Sequence, residues 1–273
     1  VKKLIKNLLP SSIKNFLKKY IRIIQATNKN NKIVEHMELD FILSRLHSQK
    51  KVKILEIGSH KGEIFNIISG NNFGHKFHII CIEPNPASFR ELKKNYSSKI
   101  KKIAKVYFHN FGISSEDKVL SFYSPSSSSA LFTMQKENLD KFKLQDETVN
   151  RVDIQTYRIE TLLFEKKFIE NFYDIIKIDA EGYDYEITLQ ILENNILFNN
   201  LMVEIDIFKF NFLSQIITSL KKHTAYVFLR DGINTLTIEK FNNVKKLKEL
   251  VFHYQDYADN PIAGNIVFVK NNK

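Results

Sequence analysis

From Val52 onward the chain alternates short apolar runs with segments whose apolar residues recur every three or four positions. The runs Val52–Ile57, Phe77–Ile82, Lys105–Asn110, Tyr173–Asp179 and Asn200–Asp206 read as core strands. The intervening periodic segments Gly62–Ser69, Pro86–Tyr96, Arg158–Glu170, Tyr183–Asn194, Asn211–Lys222 and Lys240–Phe252 read as helices. Val119–Tyr123, Arg151–Tyr157, Ala225–Arg230 and Asn265–Lys270 add further strands, and Asp231-Gly232 marks a turn from which Thr235–Glu239 extends a hairpin. Tyr173–Asp179 is nearly all apolar, as a strand covered on both faces must be. This alternation predicts an α/β domain built on a doubly wound, mostly parallel sheet with helices on both faces.

Ahead of that domain, Leu4, Ile5, Leu8 and Leu9, then Ile13, Phe16, Leu17, Tyr20, Ile21 and Ile24, follow helical spacing with lysines on the other faces and Pro10 between the two sets. Thr27–Lys32 is a polar linker, so residues 1–32 form an amphipathic extension and residues 33–273 the domain, which a helix at Ile33–His47 opens. Residues 1–27 are expected to pack on the domain or on a second subunit of a homo-oligomer; the alternative is a peripheral contact with an anionic membrane face. Ser124–Leu131 (SPSSSSAL) interrupts the alternation, and Ser128 and Ser129 in it are candidate substrate contacts.

In open parallel sheets ligands lie beyond the carboxyl ends of the strands. There the chain reads Glu56-Ile57-Gly58-Ser59-His60-Lys61-Gly62 after the first strand, Glu83-Pro84-Asn85-Pro86 after the second and Asn110-Phe111 after the third. Gly58 and Gly62 let backbone approach a ligand and let the next helix pack closely. A carboxylate at Glu83 can accept both hydroxyls of a ribose, and Asn110 can read an adenine edge. His60 stands where a dinucleotide fold needs its second glycine, and no glycine loop ends in Lys-Ser or Lys-Thr. A ribose-bearing cofactor without phosphates fits this turn, and S-adenosylmethionine is such a cofactor.

The stretches Leu55–Gly62 (LEIGSHKG), Ile82–Pro86 (IEPNP), His109–Ser114 (HNFGIS) and Ile175–Ile187 (IIKIDAEGYDYEI) resemble the FkbM family of S-adenosylmethionine-dependent methyltransferases. The resemblance runs from about Val52 to Asp206. Two departures are His60, where the family usually carries Asn, and Glu56, where it often carries Asp. The resemblance implies a Rossmann-like class I methyltransferase fold with a seven-stranded sheet. It also implies methyl transfer, commonly to a hydroxyl of a sugar or natural product. The cofactor contacts expected are Glu56, Gly58, Ser59, His60, Gly62, Glu83, Pro84, Asn85, Asn110, Phe111 and Asp179.

Transfer to a hydroxyl needs the acceptor oxygen aligned with the donor and a base for its proton. Asp179, ending an apolar strand before the turn Ala180-Glu181-Gly182, is the first choice; its competing role is to cap the next helix. Glu204 in MVEID and His109 are further candidate bases, and Glu181 and His253 candidate substrate contacts. Asp179, Glu181, Glu204 and Asp206 could hold a divalent metal through hard oxygen ligands, but nothing in their spacing demands one.

The formal charge of +11 raises a second enzyme class, methylation of nucleic acid. Lysine-rich composition explains the charge equally well, and no NPPY-type tetrad or appended RNA-binding module is present, so nucleic acid is not the expected partner. A third class is a non-catalytic binding protein with a degenerate cofactor turn, suggested by His60. The single cysteine, Cys81, sits in an apolar run and excludes an internal disulfide. No apolar run reaches the roughly 18 residues of a membrane span, and Lys6 and Asn7 interrupt the apolar stretch near the N-terminus, so a cytoplasmic location is expected, with the inner membrane face within reach of the extension.

Overall fold

The structure, a computed structural model, describes residues 37–46, 51–70, 74–125, 149–205, 209–231, 234–255 and 262–271. The 1–32 extension, Ser128, Ser129 and Asp206 lie outside the described residues.

The elements run α1 (Met37–Leu43), β1 (Lys51–Ile57), α2 (Glu63–Gly70), β2 (Lys76–Ile82), α3 (Pro86–Asn95), α4 (Ser98–Lys101), β3 (Ala104–His109), β4 (Gly112–Ile113), β5 (Val119–Pro125) and β6 (Val149–Tyr157). They continue β7 (Phe172–Ile178), α5 (Asp184–Glu193), β8 (Leu197–Glu204), α6 (Phe210–Ser219), β9 (His223–Asp231), β10 (Asn234–Phe241), α7 (Val244–Gln255) and β11 (Ile262–Lys270). Among the described residues, eight strands form one sheet in the order β10-β9-β11-β8-β7-β1-β2-β3. Strands β3, β2, β1, β7 and β8 are parallel neighbours, while β11 runs antiparallel between β8 and β9. The eighth strand is β10, the second arm of the expected hairpin, which pairs antiparallel with β9 at the sheet edge.

Consecutive residues of each central strand feed opposite cores, which is why those strands read as unbroken apolar runs. Leu55, Ile80, Ile82, Ile176 and Ile178 face a core with Tyr185, Ile187 and Ile191 of α5, Leu213 and Ile216 of α6 and Leu247 of α7. Ile54, Ile79, Cys81 and Ile175 face the other, with Phe41 and Ile42 of α1, Ile64 and Ile68 of α2 and Leu92 of α3. Chain order reverses between β1 and β7: β2 and β3 lie to one side and β8 to the other. That reversal opens the crevice in which such sheets bind ligands.

Two sequence expectations change. The strand at Arg151–Tyr157 does not join the main sheet; as β6 it lies between β4 and β5 in a separate three-stranded sheet. β6 has mostly exposed or half-buried residues, unlike the doubly covered core strands. The helix expected over Arg158–Glu170 shrinks to one turn of π-helix, Thr161–Glu165, closed by the Lys166 N–H donating to the Thr161 carbonyl at 3.0 Å. Lys167 follows in the left-handed region (φ 55°) and turns the chain away.

Candidate active site

The turn after β1 is built by close backbone approach. Gly58 has φ 79°, and a Cβ on it would lie 1.7 Å from the Asp179 carbonyl oxygen. Only glycine fits there, with β7's end laid across the turn. The Gly58 and Ser59 N–H groups both donate to the Ile82 carbonyl, at 2.9 and 3.1 Å, and the Asp179 N–H donates to Ile57 at 2.9 Å. The ends of β1, β2 and β7 are thereby tied into one rim. At Gly62 (φ 86°) a Cβ would sit 2.8 Å from Leu92, so this glycine seats α2 against α3.

Glu83, 5% exposed, is held by both oxygens. Oε2 accepts from the His60 N–H at 2.7 Å and Oε1 from the Asn85 N–H at 2.8 Å. Each oxygen keeps acceptor capacity for a further hydrogen bond. Burial pushes its carboxyl up to about 7 despite these bonds. Asn85 caps α3, its side-chain oxygen accepting from the Ala87 N–H at 2.9 Å, and Pro86 opens that helix. Asn85 and Pro84 therefore position Glu83. Both N–H donors of the Asn110 amide go to main chain, to the Glu83 carbonyl at 2.7 Å and the Pro84 carbonyl at 3.1 Å. For an adenine edge Asn110 has only its oxygen left, half of the donor and acceptor pair expected of it.

His60 takes up the left-handed conformation (φ 43°), with Nδ1 2.9 Å from Glu63 Oε1. That bond raises its pKa, against burial. Ser59 is buried, its hydroxyl donating to the Glu56 carbonyl at 3.1 Å, so it braces the turn.

Across the crevice the rim is crowded with carboxylates. Asp179 ends β7 with a half-exposed side chain that accepts from Lys177 Nζ at 3.2 Å. The same Nζ stands 3.8 Å from Glu56 Oε1. Glu56 and Lys177 are register partners on β1 and β7, so they share a face under the turn. Burial drives Glu56 up to about 7, opposed by Lys177, while Asp179 and Glu56 outweigh burial and push Lys177 upward. Glu181 adopts φ 48°, and burial with the charge of Asp179 pushes it up to about 8. Asp184 accepts from the Ala180 and Gly182 N–H groups at 3.0 and 3.1 Å, and burial lifts it to about 6. Asp184, the first residue of α5, thus ties the turn ahead of that helix, whose cap position is Tyr183 and not Asp179. Burial, then Asp179, raise Glu204 well above its ordinary value. Lys209 pins the loop from α6, donating to the Gly182 carbonyl at 2.5 Å and to Glu186 at 2.6 Å.

Three sequence-derived candidates fall elsewhere. The His109 ring stacks on Phe168 at 4.7 Å and lies 5.4 Å from Phe111, on the sheet face beneath the rim. Burial there lowers its pKa, and two aromatic rings pack against the imidazole. Phe111 is buried edge-on against Tyr157 at 5.2 Å and supports the core under β3. His253 is exposed on α7, which packs chiefly on α6, β10 and β11. Among the described residues no three His, Cys, Asp or Glu side chains are grouped to hold a metal ion.

Lys177, Lys209 and Asp184 were not singled out from the sequence. For Lys177 the signal was available: a lysine in an otherwise apolar run, at the position that pairs with Glu56.

This topology, parallel strands with one antiparallel strand inserted beside the last of them and an acid ending β2, defines a Rossmann-like class I methyltransferase fold. Residues 56–230 match the methyltransferase FkbM domain, and the chain belongs to that family. It is therefore a methyltransferase of the S-adenosylmethionine-dependent kind. Among solved structures, the precorrin-6y C5,15-methyltransferase of Geobacter metallireducens is 12% identical, covering 88% of this chain and 91% of its own, at TM-score 0.40. An rRNA methylase from Streptococcus thermophilus is 9% identical, covering 89% and 99%, at TM-score 0.42. An O-methyltransferase from Bacillus cereus, in complex with SAH, is 12% identical, covering 99% and 96%, at TM-score 0.41. No curated protein matches the chain.

The rim fits the methyl donor. Glu83 presents a fixed carboxylate of the kind that accepts ribose hydroxyls, and the carboxylates around Asp179 suit a ligand with a sulfonium and an ammonium group. The same carboxylates would repel a pyrophosphate.

Proposed function

We propose that the protein transfers the methyl group of S-adenosylmethionine to a hydroxyl, on a sugar of a surface glycan or of a glycosylated precursor. The supporting observation is Glu181, held at φ 48° beside Asp179 with its carboxyl pushed up to about 8. A group that removes a hydroxyl proton works best with a pKa near the working pH. A cation on this rim favours the ionised form of Glu181, so the base is readied where the donor's charge lies.

When bound, the cofactor supplies an electrophilic methyl group on its sulfonium. In this reading Glu83 accepts the ribose hydroxyls and the Asn110 oxygen accepts from the adenine edge. Asp179, anchored by Lys177, orients the acceptor hydroxyl or holds the donor's ammonium group. Glu181, with Glu204 behind it, takes the proton the hydroxyl loses as its oxygen forms the new bond. Vicinal hydroxyls are natural donors to paired carboxylates, whereas a phosphate backbone would meet like charge. That argument favours a sugar over RNA at this rim, and Ser128 and Ser129, outside the described residues, stay candidate substrate contacts.

Methyl transfer from labelled cofactor into a panel of sugar nucleotides, glycan fragments and RNA tests the reading. Label is expected in a saccharide hydroxyl, with Asp179→Ala losing turnover while retaining cofactor binding. Label in RNA alone overturns the acceptor class, and failure to bind S-adenosylmethionine in calorimetry favours the non-catalytic alternative.

A further inference from the structure

The turn that carries Glu181 is built against its own residue preferences. The Tyr183 N–H donates to the Ala180 carbonyl at 3.3 Å, closing a four-residue turn whose central pair, Glu181 (φ 48°) and Gly182 (φ 97°), are both left-handed. Turns with two left-handed central residues are dominated by Gly, Asn and Asp. Glycine would serve the backbone better at position 181, so what the turn gains there is the carboxylate. Backbone strain of this kind persists only where the surroundings over-determine it. Asp184 supplies part of that, accepting from the N–H groups of Ala180 and Gly182 on either side of Glu181. The rest comes from outside the turn. Lys209 Nζ donates to the Gly182 carbonyl at 2.5 Å and to Glu186 Oε1 at 2.6 Å, and stands 5.9 Å from the centre of the Tyr183 ring. Lys209 immediately precedes α6, whose Leu213 and Ile216, one and two turns on, are buried in the same core as Ile187 and Ile191 of α5. The ammonium group therefore stands on a fixed post. An ion pair between α5 and α6 accounts for the Glu186 bond. It does not account for the Gly182 carbonyl, the acceptor directly after Glu181.

We propose that Lys209 is a positioning residue, which through the Gly182 carbonyl holds Glu181 left-handed and its carboxyl on the rim beside Asp179. The inference rests on the proton-accepting role proposed above for Glu181 and adds what keeps that carboxyl in place. Lys209 works by geometry and Lys177 by charge. Asp179 on β7, Asp184 on α5 and Glu83 after β2 disfavour the ionised form of Glu181, and Lys177 favours it. Glu204 at the end of β8 adds to the repulsion. Once the Gly182 carbonyl is released, residue 181 is free to leave the left-handed region and carry its carboxyl away from those carboxylates into water. There it returns toward the ordinary carboxylate range. Loss of Lys177 has the opposite sign, because it removes an attracting charge and leaves the carboxyl where it is.

The test follows the Glu181 carboxyl by carbon NMR through a pH titration of the full, ligand-free chain labelled at glutamate, its signal assigned by its absence in Glu181→Gln. In the wild type it is expected to titrate at about 8. Lys209→Met is expected to weaken its proton affinity at least about tenfold. Lys209→Arg, which keeps a charged donor for the Gly182 carbonyl, should restore it to within about threefold. Lys177→Met should strengthen it. Glu186→Gln loosens Lys209 but leaves its charge in place. As the milder variant, should Lys209→Met not fold, it is expected to weaken proton affinity at least about twofold. In methyl transfer, Lys209→Met should lose at least about tenfold in turnover with S-adenosylmethionine affinity within about twofold of wild type. A Glu181 titration unchanged in the folded Lys209 and Glu186 variants, whatever their stability, reduces Lys209 to an ion-pair partner and overturns the proposal. A strengthened proton affinity in Lys209→Met overturns it in favour of a charge effect. Wild-type turnover in Glu181→Gln is a separate failure, that of the base assignment.

Discussion

The two sides of the crevice are built on opposite plans. On the β1–β2 side the groups around Glu83 are tied to backbone: both Glu83 oxygens accept main-chain N–H groups, and Asn85 and Asn110 brace the segment that carries it. On the β7–β8 side Asp179, Glu181, Asp184 and Glu204 crowd one another, with Lys177 and Lys209 as the anchoring cations described there. The first side is preorganised to hold one ligand shape. The second stores electrostatic repulsion that a cationic ligand relieves and that a proton can relieve in its absence. Fixed geometry suits a donor that never varies, and adjustable protonation suits the side proposed to accept a proton.

The sharpest test of the rigid side is Gly58→Ala. The new methyl group would overlap the Asp179 carbonyl at 1.7 Å and fix a non-glycine residue at φ 79°. Overpacking and backbone strain together are expected to cost at least about 3 kcal/mol in urea unfolding. Gly74→Ala is the control: φ is 67° but nothing lies within 4 Å, so only the strain of about 1 kcal/mol remains. Equal losses at the two positions would mean that the rim is not closed by that contact.

Glu83→Ala comes next. It removes a buried carboxylate proposed to accept two ribose hydroxyls, each charged hydrogen bond being worth about 1.5 kcal/mol. Affinity for S-adenosylmethionine in calorimetry should fall about 100-fold. Wild-type affinity in this variant would break the assignment of this side to the donor.

Lys177→Met probes the charged side. Removing the ammonium group between Asp179 and Glu56 leaves Glu56 buried without its counter-charge. Such a loss costs several kcal/mol when the orphan stays charged. Glu56, already up to about 7, can neutralise, which limits the cost to about 2 kcal/mol. The loss of stability relative to wild type should therefore be markedly larger at pH 8 than at pH 6, a difference that loss of packing alone would not produce.

The wild-type protein should show the same sign more gently. Glu56 and Glu83 reach about 7 and Glu181 about 8 when folded, all from 4.5. A raised folded pKa means the folded state binds the proton more tightly, so this contribution is fully present below 4.5 and is lost as pH rises through 7 to 8. His60 acts in the same direction and Glu63, lowered, in the opposite one. Thermal unfolding of the ligand-free protein should thus begin at lower temperature at pH 8.5 than at pH 6. S-adenosylmethionine, which carries the sulfonium charge, should restore more of that loss than its uncharged thioether product. Equal protection by both would remove the electrostatic account of the β7–β8 side.

The same division explains what the sequence disclosed. Continuous apolar runs exposed the buried strands, because a strand covered on both faces has no polar alternative, and the glycine turn with Glu83 exposed the rigid side, because close backbone approach demands specific residues. β6 was legible as a strand but not as part of a second sheet, since strand periodicity carries no information about which edge a strand joins. Lys177 escaped notice because its meaning lies in register, beside Glu56, and register is a long-range property. Asn110 was placed correctly at the end of β3, but its amide hydrogens were already committed to carbonyls that only the fold brings near.

The smallest expected effect separates the rim from the face beneath it. His109 is adjacent in sequence to Asn110, and a histidine at a strand end is a natural candidate base. Successive side chains of a strand point to opposite faces, and His109 points with Tyr107 toward the face where Phe168 stacks on it at 4.7 Å, nearly parallel at 26°. Its lowered pKa follows from burial alone, with no carboxylate opposing it. His109→Phe preserves a flat ring of similar size in that stack and removes both nitrogens. Turnover should change less than about twofold, and stability by less than about 1 kcal/mol, as for other volume-conserving replacements. A hundredfold loss of turnover with cofactor affinity intact would return His109 to the chemistry and place the proton acceptor on the β3 side of the crevice.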